Sequence, residues 1–187
     1  MKSQLLLLFA VLLLPTQADA RRYSARRAPV ARSVAPATPP KDGDVCFSPD
    51  ENCDAKLIAL VSTAERSVDV AIYDVTLDQL VHQLAILKAK GKAVRVVVDR
   101  RQSHEKNSLV GTLIRLGVPV KFGVQRGIMH DKFMIVDDRM LETGSFNYTN
   151  HASCCNHENQ IYLANPATVR QYQAEFERLW ESGEAVQ

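Results

Sequence analysis

Ser67-Val68-Asp69-Val70-Ala71-Ile72-Tyr73 and, some twenty residues on, Val94-Arg95-Val96-Val97-Val98-Asp99 are the stretches that decide the fold. The first alternates as a strand, and the second is β-branched and apolar enough to be a strand buried on both faces. Between them Leu77 to Lys90 reads as a helix, with Asp78 in its first turn and Gly91 at its C-cap position. Working outward, Asp54 to Arg66 carries Leu57, Ile58, Leu60 and Val61 on one helical face, and Val45 to Ser48 is a short strand stopped by Pro49. Downstream, Ser108 to Leu116 is a helix ended by Gly117, and Val118 to Phe122 is a short strand. Phe133 to Val136 and Met140 to Thr143 are strands joined by a tight turn at Asp137-Asp138-Arg139, and His157 to Leu163 is another strand. Ala167 to Glu181 closes the chain as a helix with Val169, Tyr172, Phe176, Leu179 and Trp180 inward. Strands alternating with helices predict an α/β fold, a layered mixed β-sheet flanked by helices.

The ends of the chain read differently. Residues 1–20 have a charged start, an apolar run from Leu5 to Leu14 and an Ala-x-Ala end, the layout of a secretory signal peptide. That run is too short to cross a bilayer, which takes about 20 residues. The expectation is a periplasmic or secreted product with no integral membrane segment after cleavage. Residues 21–41 are a basic, Pro/Ala-rich segment with too little apolar periodicity to offset its chain entropy, hence a flexible spacer or a polycationic contact. Residues 42–187 are long enough for one domain with its own core. This part holds 16 Lys/Arg against 20 Asp/Glu, so the chain's net +2 comes from the basic segment. Within it, ten basic residues from Lys88 to Arg126 face only Asp99 and Glu105.

Four cysteines in an exported chain point to disulfides, and four allow three pairings. A local Cys46–Cys53 bridge and two long-range bridges to the Cys154/Cys155 segment are both open, while a bond between adjacent cysteines is uncommon. Zinc at Cys154, Cys155, His151 and His157 is disfavoured, because adjacent cysteines do not easily chelate one ion together. His82 and His104 read as surface residues and Trp180 as core.

The chemistry concentrates in Met129-His130-Asp131-Lys132-Phe133-Met134-Ile135-Val136-Asp137. Strand alternation puts His130 and Lys132 on one face, with Asp137 at the far end of the apolar run. Gly144-Ser145-Phe146-Asn147 follows as a turn offering a hydroxyl, an amide and backbone N–H groups, and Asn156-His157-Glu158-Asn159 opens the next strand. These parts suit a phosphodiester. An imidazole attacks phosphorus directly, lysine holds nonbridging oxygens, and Ser145 and Asn147 add hydrogen bonds to the growing charge. Glu158 is the candidate carboxylate beside the imidazole. Asp137 is kept among the catalytic candidates, with bracing of its turn as its expected part. Arg100 and Arg101, delivered to a sheet edge by strand 94–99, are candidate phosphate contacts.

His130-x-Lys132-x4-Asp137-x6-Gly144-Ser145-x-Asn147, followed by Glu158 on the next strand, resembles the signature of the phospholipase D superfamily. Val45-Cys46-Phe47-Ser48-Pro49, Ala71-Ile72-Tyr73, the run from Gly144 to Thr149 and Phe176-Glu177-Arg178-Leu179-Trp180 are similar to its small single-motif bacterial nucleases, and more distantly to its mitochondrial Zucchini-type cardiolipin hydrolases. The resemblance implies a phosphohistidine mechanism with no metal and no cofactor. It also implies a homodimer, since two motifs make one site and this chain carries one: His130 is nucleophile in one subunit and acid in the other. The favoured substrate is nucleic acid, cut without sequence preference through phosphate contacts. Phospholipid is the rival substrate, and a noncatalytic envelope or nucleic-acid-binding protein is the reading from another class.

Overall fold

The structure, a computed structural model, describes residues 37–123 and 127–186. The proposed leader 1–20, most of the segment 21–41, and Arg126 lie outside the described residues. The strands are β1 (Val45–Ser48), β2 (Ser67–Ile72), β3 (Ala93–Val98), β4 (Val120–Phe122), β5 (Lys132–Val136), β6 (Met140–Gly144), β7 (Glu158–Leu163) and β8 (Glu184–Ala185). The helices are α1 (Cys53–Ser62), α2 (Asp78–Ala89), α3 (Val110–Arg115), α4 (Asn150–Cys154) and α5 (Pro166–Ser182), with a 3-10 turn at Gln102–His104. Among the described residues these strands form one sheet in the order β1-β7-β6-β5-β2-β3-β4-β8. β2, β3 and β4 run parallel, and β5 lies antiparallel to β2. The sheet is therefore mixed and layered between helices, as its sequence implies. No helix among the described residues is long and apolar enough to cross a membrane.

Strand alternation sends the two faces of the sheet to different partners. Val68, Val70, Ile72, Val94, Val96 and Val98 pack with Leu57, Leu60, Leu80, Leu84 and Leu113 of α1, α2 and α3. Ala71, Val97, Phe133, Ile135 and Leu141 face the other way, onto Val169, Phe176 and Leu179 of α5. Asp69 also faces α5 and is buried. The Arg95 guanidinium bonds it at 2.8 Å through both Nε and Nη2, and bonds Glu177 at 2.7 and 3.0 Å. That guanidinium lies 4.8 Å from the Phe176 ring centroid. Arg95 therefore anchors α5 and leaves the basic cluster read from the sequence. Lys121 leaves it too, donating to the Trp180 carbonyl at 2.7 Å.

The register gathers strand ends. Ile72 lies opposite both Lys132 and Val98, Gly144 opposite Gln160, and Ser48 opposite Glu158. One end of the sheet thus carries the C-terminal ends of β1, β2, β3 and β6 and the N-terminal ends of β5 and β7.

The opposite end is closed by Asp137. Its buried carboxylate accepts from the backbone N–H groups of Glu65 (2.9 Å), Arg66 (2.7 Å) and Ser67 (2.8 Å), and from Arg139 Nη2 at 2.9 Å. This capture explains why α1 does not run on to Arg66 as its periodicity predicts: past Ser62 the N–H groups of Thr63 and Ala64 close a tighter last turn onto the Leu60 and Val61 carbonyls, and those of Glu65 and Arg66 turn toward Asp137. The β5–β6 turn puts Asp137 and Asp138 at φ 56° and 57°, left-handed geometry that aspartate tolerates better than most residues. Both disulfides are local. Cys46 is bonded to Cys53, and Cys154 to its neighbour Cys155, so the long-range alternative is not the one formed.

Candidate active site

His130 precedes β5 and is held from behind. The buried Asp99 at the end of β3 accepts from the backbone N–H of Met129 at 3.0 Å, and its other oxygen accepts from the N–H groups of Arg101 and Gln102 at 2.9 and 3.0 Å. One carboxylate therefore fixes the segment entering His130 and caps the 3-10 turn. The imidazole is exposed and packs edge to face against Tyr73, with ring centroids 4.6 Å apart. Tyr73 is fixed in turn, its hydroxyl accepting from Gln102 Nε2 at 2.7 Å. Lys132, the first residue of β5, donates to the His130 carbonyl at 2.9 Å, and its Nζ lies 3.3–3.4 Å from the imidazole nitrogens and 5.2 Å from the Tyr73 centroid. Burial lowers the Lys132 pKa from its usual value, against the opposing pull of Asp131 and Glu158. An anion arriving here would return some of the stabilisation this ammonium loses with its water.

On the neighbouring strands, Ser145 and Glu158 meet directly. The Ser145 hydroxyl donates to Glu158 Oε2 at 2.5 Å and accepts from the Asn159 N–H at 3.1 Å. The second oxygen of Glu158 accepts from Asn156 Nδ2 at 3.0 Å. Within one chain, then, Glu158 bonds Ser145 and Asn156 and not the imidazole expected as its partner, although it is near enough to act on Lys132. The turn seats its apolar residues inward: Phe146 and Tyr148 are 1% and 0% exposed, which leaves Ser145 and Asn147 on the other side. Asn147 Oδ1 is shielded and has no hydrogen-bond partner. Only glycine fits at position 144, because a Cβ there would stand 2.1 Å from the Asn159 carbonyl oxygen. Beneath the turn, Tyr148 donates to the fully buried Glu142 at 2.6 Å. Burial pushes Glu142 up to about 8, so it is largely uncharged near neutrality.

His130, Lys132, Ser145, Asn147 and Glu158 therefore share one sheet end. Asp137 does not belong with them. It stands beyond the far end of β5, some 23 Å away at about 3.3 Å per residue. Burial would raise its pKa, but the three N–H donors and Arg139 outweigh that and hold it down at about 2. Arg100 also turns aside: its guanidinium pairs with Glu184 of β8 and lies 4.5 Å from the Phe122 centroid. Arg101 has an exposed side chain beside the 3-10 turn. Asp99, Tyr73, Gln102 and Asn156 were not foreseen in these parts. Their signal was positional, since each stands at or just beyond a strand end that the topology brings here. Next to Gln102 opens a groove of about 910 Å3, lined by Asp74, Glu105, Lys106 and His151 among others.

Residues 57–180 match the family described as cardiolipin synthase, PLD-like domain. The chain belongs to the phospholipase D-like family. Within this family it is 31% identical to the mitochondrial cardiolipin hydrolase of Xenopus tropicalis over 170 residues, 86% of this chain and 81% of that one. It is 34% identical to the mouse (Mus musculus) protein of the same name over 149 residues, 79% and 67% of the two chains. Its fold superposes on NucT from Helicobacter pylori with a TM-score of 0.73 at 25% identity, covering 78% of this chain and 99% of that one. For Nuc, a phospholipase D family member from Salmonella typhimurium, the TM-score is 0.72 at 26% identity, with coverage of 77% and 97%. This phospholipase D-like chain is a phosphodiesterase of that superfamily.

Proposed function

We propose that this phosphodiesterase is a metal-independent endonuclease that cuts DNA and RNA without sequence preference through a phosphohistidine, in a site shared by two copies of the chain. The observation that carries the reading is the placement of His130, with Lys132 Nζ against its ring, on the same sheet end as the Ser145–Glu158 pair. His130 attacks phosphorus, an N–P bond forms, and the P–O bond to the leaving oxygen breaks. His130 of the partner subunit gives that oxygen its proton; water then cleaves the N–P bond with the same imidazole as base. Lys132 supplies the positive charge for the nonbridging oxygens, and Asn147 and, once its hydroxyl turns from Glu158 to substrate, Ser145 supply hydrogen bonds that strengthen as charge grows. Support for nucleic acid comes from the near-complete coverage of Nuc and NucT.

Phospholipid is the second reading. It is favoured by the relatives named cardiolipin hydrolase and by the exposed Phe47 and Ile128, which flank Ser48 and Met129 at the site. The deciding experiment incubates the protein with plasmid DNA, RNA and cardiolipin vesicles in EDTA. Nucleic-acid cleavage that survives EDTA is expected. Cleavage of lipid alone would sink the nuclease assignment, and loss of all activity in EDTA would sink the metal-free scheme.

A further inference from the structure

The two disulfides differ in access. Cys46 and Cys53 are 2% and 0% exposed and sit inside the core, whereas Cys154 and Cys155 are both exposed at the end of α4. Thiol–disulfide exchange needs an incoming thiolate to reach a sulfur, so surface access selects the second pair. His151 stands one helical turn back. A nitrogen of its ring and both sulfurs all lie within 4.8 Å of one another. A protonated imidazole at that range stabilises a thiolate as it departs and returns a proton to it. His151 and Cys154 also line the groove of about 910 Å3, which has room for a small reductant.

The pair is wired to the site described above. Cys155 is followed directly by Asn156, whose side chain donates to Glu158 at 3.0 Å. The backbone N–H groups of Cys155 and Asn156 both bond the His151 carbonyl, at 3.0 and 3.2 Å. The buried Ser48 hydroxyl spans the carbonyls of Ala152 and Asn156, at 2.7 and 3.3 Å. The Cys154–Cys155 bond closes a small ring that fixes the backbone where α4 hands over to Asn156.

We propose that Cys154–Cys155 is a thiol–disulfide exchange site, assisted by His151 and taking a dithiol as co-reactant, whose state is passed through Asn156 to Glu158. A thiolate of the dithiol attacks one sulfur and forms a mixed disulfide. The Cys154–Cys155 bond breaks, and its electron pair leaves on the other sulfur, which takes a proton from the His151 imidazolium. The second thiol of the reductant then displaces the remaining cysteine and leaves as a cyclic disulfide. The dithiol loses two electrons and the pair gains them. Opening the ring loosens Asn156 and with it the Glu158 carboxylate. The link to turnover rests on the function proposed above, but the exchange itself does not.

The test treats the folded protein with dithiothreitol, quenches with an alkylating reagent and maps the labelled cysteines by mass spectrometry. Cys154 and Cys155 are expected to label at least about tenfold faster than Cys46 and Cys53. Equal rates, or faster labelling of the buried pair, would overturn the exchange site. His151→Gln is expected to slow opening by about tenfold with the fold intact, and an unchanged rate would overturn the part given to His151. Turnover of a simple phosphodiester is expected to fall about threefold or more on opening, chiefly in kcat. Cys154→Ser/Cys155→Ser should show that lower rate with or without dithiothreitol. Unchanged turnover in an active enzyme whose pair has demonstrably opened would overturn the coupling to Glu158. An enzyme inactive toward every phosphodiester would instead count against the proposed function and leave the labelling result standing.

Discussion

His130 and Asp137 belong to one motif but stand beyond opposite ends of β5, and substitutions should separate their work. His130→Asn removes the nucleophile without touching the core, so turnover should drop by about three orders of magnitude or more, with an unchanged melting curve. Activity near that of the parent would refute the role. Asp137 should show itself in stability. Its carboxyl is held near 2 in the fold against an ordinary 3.8, so its stabilisation is present above about pH 4 and is lost as pH falls toward 2. Asp137→Asn should therefore cost on the order of 2 kcal/mol near neutrality, and much less at pH 2, as read by urea denaturation at both pH values. Glu142 has the opposite sign. Its folded value near 8 lies above the ordinary 4.5, so the folded chain binds a proton that the unfolded chain releases. Stability should fall as pH rises from about 4.5 to 8 and then level off. Glu142→Gln should flatten that decline, which thermal melts across the range would detect; an unaltered slope would contradict a neutral Glu142.

At the scale of elements, the site depends on how closely the turn after β6 approaches β7. Gly144→Ala would drive a methyl into the Asn159 carbonyl and spread the two strands, separating Ser145 from Glu158. A loss of about 2 kcal/mol in stability and a larger proportional loss of kcat are expected; parent-like kinetics would show that the strand contact does not matter. Elements were legible where periodicity is strong: β2, α2, β3 and the β5–β6 hairpin lie where their apolar patterns place them. The end of α1 was not, because the carboxylate that halts it lies 72 residues from Glu65 in the chain. The two-residue β8 and the five-residue α4 are too short to be legible, since neither is long enough to repeat its period. At the site, a typed motif made His130, Lys132, Ser145, Asn147 and Glu158 readable one by one. Who bonds whom was not readable, because Ser145 and Asn156 capture Glu158 through strand register. Tyr73 was seen as the end of a strand, but its contact with His130 exists only because β2 lies beside β5.

For the whole molecule, the sheet sorts its two ends by duty, with an acid clamp at one and strand termini bearing polar side chains at the other. The shared-site reading makes a quantitative claim at this scale. When equal amounts of parent and His130→Asn chains exchange subunits freely, only about a quarter of the dimers keep both imidazoles. Activity should then drop to about half of its value before exchange, if both imidazoles are needed in one site. Activity unaltered by exchange, or a fully active monomer in sedimentation, would contradict the shared site.

The Asp137 clamp bears on the order of folding. It ties N–H groups to a carboxylate 70, 71 and 72 positions further along the chain. Everything between, including α2, β3 and α3, must be placed before that closure is rewarded, whereas the β5–β6 hairpin forms from neighbours. The clamp should be a late contact, made on the native side of the rate-limiting barrier. Asp137→Asn should consequently accelerate unfolding while hardly slowing refolding, leaving one limb of the denaturant chevron displaced and the other nearly in place.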